Sequence, residues 1–341
     1  MGTKHKKLSV KEREEIFRLV CNGESIRGIA RFLGRSPSSI SEELKRNEMT
    51  RSTYSLSEAQ VDCNLKSTLK GARSKLQKNQ QLLHLTKNWI LNKKWSPEQV
   101  SGHLKKKFKD DKTQQVSHET IYQYIYSISD PEEKEKYAKA LRRKRKKRNP
   151  RNGLKKQRGP ISNPISIHER PQEVESRDIP GHWEGDSIVG KDNKSAIGTL
   201  VERTFRYTII VSYGKNKSAE NVAKAFAEAY KSIPKHLKKS LTFDRGSEMA
   251  RHELFTQLTG IPVYFADPAS PGQRGTNENT NGLIRQFFPK KTDFSKVSKE
   301  ALKKVENMIN NRPRKILGFK TPMKVFNEWR KQKVISYISK R

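Results

Sequence analysis

Carboxylates are scarce in this chain of 341 residues: 36 Asp and Glu stand against 72 Lys and Arg, a formal net charge of +36. Two cations for every acid is far from the balance of an ordinary metabolic enzyme and implies a polyanionic partner. Cysteine is nearly missing. Cys21 and Cys63 lie far apart, which excludes a disulfide framework and a cysteine zinc site and points to a reducing, intracellular compartment. Hydrophobic residues make up 32%, against ~45–50% in an average globular chain when Gly is counted too. Apolar segments nevertheless recur along the sequence, so several modest cores are expected rather than one large one. No run of ~18 apolar residues exists, which excludes a helical membrane span, and residues 1–7 lack the apolar stretch of a signal peptide. The expected setting is cytoplasmic. Nucleic acid is the leading polyanion and an anionic membrane the weaker one.

The sequence divides into four stretches. Residues 1–70 read as a short helical module and residues 74–137 as a second helical region. Residues 138–160 are a linker; within it, positions 141–158 hold 11 Lys or Arg and no acid. Such a run is expected to be disordered in the free protein, and on DNA each cation can release counterions from a phosphate. From residue 161 to the end, strands alternate with helices, and a basic helical tail follows residue 288.

In the first module Ser9 and Glu12 have capping-box spacing and open a helix with Ile16, Leu19 and Val20 on one face. Gly23 ends it, and Ser25 opens a second helix with Ile26, Ile29, Ala30 and Leu33 at helical spacing. Gly34-Arg35 makes the turn, and Ser36-Pro37 supplies an N-cap with proline at the first helical position. In the third helix Ile40 and Leu44 face inward, leaving Ser38, Ser39, Ser41, Glu42, Lys45 and Arg46 outside. A glycine turn before a polar, basic helix is the helix-turn-helix pattern that lays a recognition helix in the major groove. A plain three-helix bundle is the alternative. The second region repeats the logic: Ser96-Pro97 caps a helix with Val100 and Leu104, and Ser117 caps another with Ile121 and Ile125. His118, Glu119, Tyr122 and Gln123 could then reach bases or phosphates.

Where acids are scarce, those at strand ends stand out. Residues 182–190 read as a strand closed by glycine, 197–202 and 207–213 as a hairpin, 218–233 as an amphipathic helix, and 241–243 as a buried strand followed by Asp244. A helix (252–258), a strand (261–265), the glycine-containing loop 267–277 and a helix from Glu278 to Phe288 complete the order. This is an α/β pattern with a mixed five-stranded sheet, placing Asp186 on the first strand, Asp244 at the end of the fourth and Glu278 on the helix after the fifth. Carboxyl ends of neighbouring strands converge on one rim of such a sheet. Three carboxylates there repel unless divalent cations neutralise them. Hard oxygen ligands suit Mg²⁺ or Mn²⁺, and two ions ~3.5–4 Å apart can serve phosphodiester chemistry. Each acid also has a structural alternative as a turn or helix cap. Glu184, Asp192, Glu248 and Asp267 compete with them, and periodicity does not choose between Asp186 and Glu184.

The motifs choose. The run from Glu278 through Asn279, Thr280, Asn281, Gly282 and Leu283 to Lys290 resembles the signature of bacterial insertion-sequence transposases of the IS-thirty family. His182-Trp183-Glu184-Gly185-Asp186 and Phe243-Asp244-Arg245-Gly246-Ser247-Glu248 resemble its first two acidic motifs. Trp95-Ser96-Pro97-Glu98-Gln99-Val100, Ser117-His118-Glu119-Thr120-Ile121-Tyr122 and Asn310-Asn311-Arg312-Pro313-Arg314 resemble further family segments. The resemblance implies a ribonuclease H-like catalytic domain preceded by all-α helix-turn-helix modules. It also implies Asp186, Asp244 and Glu278 as catalytic triad and metal ligands, two Mg²⁺ ions with Mn²⁺ substituting, and DNA transposition. The expected partners are duplex DNA (terminal inverted repeats and target) and a second copy of the chain, with no small-molecule substrate.

Around the triad, Arg285 shares the face of Glu278 and is expected to meet a DNA phosphate, and Asn277 and Asn281 either orient DNA or water or simply cap a helix. The loop 269–276 reads as a mobile flap. The other expected DNA contacts are Arg35, the third-helix residues above, His118, Gln123, and Arg142, Arg143, Lys144, Arg145, Lys146, Lys147 and Arg148 of the linker. Arg312 and Arg314 sit in the basic tail, where solvation and phosphate contact compete. A DNA-binding regulator with a ligand-binding α/β domain would also explain the modules and the charge, but not three ordered acids. A plain nuclease would cut DNA without joining it.

Overall fold

The structure, a computed structural model, describes residues 8–46, 74–141, 161–214, 216–268 and 270–338. It divides once, into Met1–Arg73 and Ser74–Arg341.

In the first unit, Ser9 and Glu12 form the capping box that opens α1 (Val10–Cys21). Ser25 caps α2 (Ile26–Leu33), and Gly34, at φ 63°, ends it in the left-handed conformation that glycine adopts without strain. Helix α3 (Pro37–Arg46) follows. Ile16, Ile29, Ala30, Ile40 and Leu44 make the core. Beside it Arg13 and Glu43 form a buried pair at 2.6 Å, tying α1 to α3.

The second unit opens with helices α4 (Lys75–Lys78), α5 (Gln80–Leu91), α6 (Pro97–Lys107), α7 (His118–Tyr126) and α8 (Pro131–Ala140). They share a core of Trp89, Trp95, Val100, Leu104, Ile121, Ile125 and Tyr137. These helices are bound to the C-terminal part of the chain. Gly102 lies so close to Phe319 that any side chain at 102 would overlap the ring. Arg312 donates to Gln99 at 2.8 Å, and Lys106 donates to the Gly318 carbonyl at 2.9 Å.

The sheet has six strands: β1 (Ile165–Ser166), β2 (His182–Val189), β3 (Ala196–Glu202), β4 (Thr208–Ser212), β5 (Ser240–Phe243) and β6 (Val263–Phe265), with the short helix α9 (Glu173–Ser176) between β1 and β2 in the chain. Their order is β1-β6-β5-β2-β3-β4. The expected five strands are present, and β1 adds a two-residue parallel edge that is too short to carry a periodic signal. Strands β6, β5 and β2 are parallel, while β2, β3 and β4 form an antiparallel meander.

Side chains alternate across the pleat and build two cores. Trp183, Leu200, Val211, Leu241 and Phe243 pack one face against α10 (Ala219–Lys231) and α11 (His252–Thr259). Ile188, Ile197 and Ile210 pack the other against α12 (Gly275–Ile284) and α13 (Lys299–Asn310). The C-terminal stretch is therefore no tail. Helix α13 also meets edge strand β4: Glu306 accepts from Ile210 N, and Asn310 bonds both backbone groups of Thr208. Such pairing blunts an edge that could otherwise recruit a foreign strand. Arg312 and Arg314 are buried rather than solvated. The last helix, α14, is Pro322–Ile338.

Candidate active site

Strand register builds the site. In the parallel pair of β2 with β5, Trp183 faces Leu241 and Glu184 faces Thr242. Continuing that register two residues brings Asp186 alongside Asp244, where β5 has ended and its backbone is free to turn. Gly246 completes the turn: a Cβ there would stand 2.8 Å from Asp244 Oδ1 and collide with the Glu248 carboxylate. Its own N–H donates to Asp244 Oδ1 at 3.2 Å.

Helix α12 covers the pair. Arg274, just before the helix, reaches both acids, with Nη1 3.6 Å from Asp186 Oδ1 and Nη2 3.3 Å from Asp244 Oδ2. Nη1 also donates to the Gly185 carbonyl at 3.0 Å. Asn281 donates to Asp186 Oδ2 at 2.7 Å, and its own carbonyl accepts from Thr199 Oγ at 3.1 Å. Thr199 stands opposite Asp186 across the β2–β3 ladder and also reaches Asn277 Oδ1. Burial pushes the Asp186 carboxyl up to about 6; Arg274 opposes the shift, and the charges of Asp244 and Glu248 add to it. Glu278 lies on α12 one turn beyond Arg274 and one turn before Asn281, with its side chain exposed. Among the described residues no three His, Cys, Asp or Glu side chains converge closely enough to hold a metal ion. Two carboxylates do converge, on a guanidinium.

The structure distinguishes the competing acids. Glu184 is fully buried: Oε1 pairs with Arg203 at 3.1 Å, and Oε2 accepts from Asn277 N at 2.9 Å. It is thus committed to holding the start of α12 against β2. Asp192 is exposed in a turn, and Asp267 accepts from Gln273 and contacts His168. Only Glu248 shares the neighbourhood of the pair. Arg274 is the residue that motif reasoning passes over. It is the sole cation between Asp267 and Arg285, four residues before Glu278.

A helix-turn-helix domain model matches residues 4–47, and an integrase core domain model matches residues 178–271, the span that carries Asp186 and Asp244. The transposase for insertion sequence element IS1086 of Cupriavidus metallidurans is 42% identical, the alignment covering 95% of each chain. The chain belongs to the IS-thirty family of insertion-sequence transposases. Transposase InsI for insertion sequence element IS30A of Escherichia coli K12 is 45% identical over 93% of this chain and 82% of its own. The transposase for element IS4351 of Bacteroides fragilis is 37% identical over 92% and 94%. The protein is thus a DNA transposase with a DDE-type, ribonuclease H-like integrase core behind a helix-turn-helix domain. Integrase cores of this type typically use a divalent metal.

In the transposase's first unit, Ser38, Glu42 and Lys45 are exposed on α3, while Ser39 and Ser41 are half-buried. Arg35 is paired with Glu12 at 2.8 Å, and the hydrogen bond from this guanidinium holds the Glu12 carboxyl down at about 2. On α7, His118 and Gln123 are exposed. Arg285 is half-buried and donates to the carbonyls of Val189 at 2.6 Å and Pro289 at 3.3 Å, bracing the end of β2. The side chain of Arg46, residue 269 of the flap, and Arg142, Arg143, Lys144, Arg145, Lys146, Lys147 and Arg148 lie outside the described residues. Among those that are described, no helix is long and apolar enough to cross a membrane.

Proposed function

We propose that the transposase binds the terminal inverted repeats of its own element and cleaves the strand at the element end. The freed 3′-hydroxyl then attacks a phosphodiester of target DNA, with Asp186, Asp244 and Glu278 as the ligands of two Mg²⁺ ions. The observation that carries the reading is the convergence of Asp186 Oδ1 and Asp244 Oδ2 on one cationic group.

The donor set suits a hard divalent ion. Both acids present oxygen, no thiol or imidazole intrudes, and a guanidinium already bridges the gap that a cation would bridge. Glu278, exposed on the helix that covers the pair, supplies the third carboxylate. When bound, such ions activate the attacking hydroxyl and stabilise the leaving oxygen of an in-line displacement. The chain's own residues do the positioning. Asn281 fixes one oxygen of Asp186 without consuming its charge. The Glu184–Arg203 pair, through Asn277 N, anchors the start of α12. Lys45 and Ser38 on α3 face the DNA groove, and the basic linker follows the phosphate backbone. Two ends must be joined to one target, so the working form is a dimer or larger on DNA.

The test uses labelled duplexes carrying the ends of the element that encodes this chain, with Mg²⁺. Wild type should nick the end and join it to a second duplex. Asp186→Asn, Asp244→Asn and Glu278→Gln should bind the same DNA and do neither. Undiminished cleavage by all three would refute the reading, and cleavage without any joined product would leave a nuclease.

A further inference from the structure

We propose that Arg274 is the resident counter-cation of the acidic pair, and that the transposase exchanges this guanidinium for divalent metal when DNA arrives. The inference rests on the metal reading of Asp186 and Asp244 and adds what keeps that site closed to metal beforehand.

One guanidinium spans both acids, each through a different nitrogen. Its separations, 3.6 Å and 3.3 Å, exceed the ~2.7–2.9 Å of a well-formed charge-assisted bond. The planar fork bridges the gap without fitting either carboxylate bidentately. Its closest partner is neutral, the Gly185 carbonyl at 3.0 Å. Arg274 therefore neutralises the pair while holding neither acid tightly, as an exchangeable occupant should.

Exchange follows from charge. A divalent ion between Asp186 and Asp244 would lie against the guanidinium that occupies that space, and two carboxylates cannot balance the three positive charges of ion and guanidinium together. The side chain is 12% exposed and must leave before metal settles. Residues 268–284 contain no other cation, so nothing else on this segment can take over its role. Once released, Arg274 is a bare guanidinium at the mouth of the site, and a DNA phosphate is the acceptor that matches its planar fork. DNA thus draws Arg274 outward and metal fills the place it leaves. The two ligands favour each other's binding reciprocally, and free transposase is kept from loading metal away from its DNA.

The experiment measures Mn²⁺ binding to the full chain near neutral pH, from the loss of the free-ion electron paramagnetic resonance signal. Wild type should bind Mn²⁺ weakly alone and roughly tenfold more tightly with element-end duplex present. Arg274→Gln should bind tightly without DNA and gain little when it is added. Arg274→Lys, which keeps a cation at the same position, should stay close to wild type, and melting curves establish that each variant is folded. Equal affinity in all three, or weaker binding by folded Arg274→Gln, overturns the exchange and leaves the metal site standing. Absence of Mn²⁺ binding by every form, with and without DNA, removes both.

Discussion

Asn281 Nδ2 donates to Asp186 Oδ2 across 2.7 Å, joining helix α12 to strand β2 at the point where chemistry is expected. A carboxylate only accepts, so the amide nitrogen must face it; the amide oxygen then meets the Thr199 hydroxyl. The other oxygen of Asp186, Oδ1, accepts from Ser187 N at 2.9 Å and lies 3.6 Å from Arg274 Nη1. Removing this brace should misdirect the carboxylate without opening the core. Asn281→Ala is expected to slow Mg²⁺-dependent cleavage by about 10–100-fold, the usual loss when a group that orients a metal ligand is deleted. DNA affinity and melting temperature should stay near wild type. Single-turnover cleavage rates beside a gel-shift titration would check it.

The raised Asp186 carboxyl makes a signed prediction about pH. In the folded, metal-free protein it titrates at about 6, against an ordinary 3.8. Between those values the folded state holds the proton more tightly than the unfolded chain does. The contribution of Asp186 to stability therefore falls as pH rises through this window and is flat above it. On the proposed reading, metal would bind the ionised form and remove the penalty. The rise in melting temperature on adding Mg²⁺ should accordingly be small near pH 5 and full by about pH 7.5. Thermal melts with and without Mg²⁺ across that range test it, and Asp186→Asn should abolish the pH dependence of the increment.

Glu184 and Arg203 are both nearly inaccessible, at 0% and 2% side-chain exposure. A buried pair of this kind need not stabilise relative to apolar residues, but losing one partner strands the other. Arg203→Met should destabilise the second unit by about 3–5 kcal/mol, measured by urea unfolding. Glu184→Gln keeps an oxygen for Asn277 N but not the charge, so it should lose stability and retain cleavage at temperatures where it is folded. Loss of cleavage in a fully folded Glu184→Gln would instead place Glu184 in the chemistry.

The comparison of Glu184 with Asp186 shows where local pattern runs out. Both lie on the same strand face, and the sequence cannot rank them. What separates them is Arg203, a cation beyond the next strand that buries itself against Glu184. The strands that place Asp186 and Asp244 are legible because each is a β-branched or aromatic run ended by glycine or a turn. The third acid is less so. Helix α12 begins at Gly275, three residues earlier than expected, where Asn277 is buried and bonded to Thr199 of β3 and Glu184 of β2. Arg312 looks like a tail cation, yet it is buried between Gln99 and Gln286, from distant parts of the chain. Each miss has one cause: a polar side chain whose partner lies far away in sequence.

Arg35 lies just before α3 and Lys45 on it, and the two should respond differently to loss of charge. Arg35 is held by Glu12, whose folded-state carboxyl lies at about 2 against an ordinary 4.5. The stability that this pair contributes is present above about 4.5 and lost as pH falls toward 2. Removing Arg35 should first weaken the first unit, because α1 loses its tie to the turn before α3. Lys45 is exposed on α3 with no such duty. Lys45→Gln should therefore leave melting unchanged, weaken binding to specific and unrelated duplexes alike, and reduce the salt slope of log K by about 1. Arg35→Gln should lower the melting temperature of the first unit and lose the step in acid stability between about pH 4.5 and 2. Fluorescence anisotropy across a salt series, with melts of both variants, separates the two roles. An unchanged salt slope in Lys45→Gln would remove α3 from the DNA interface.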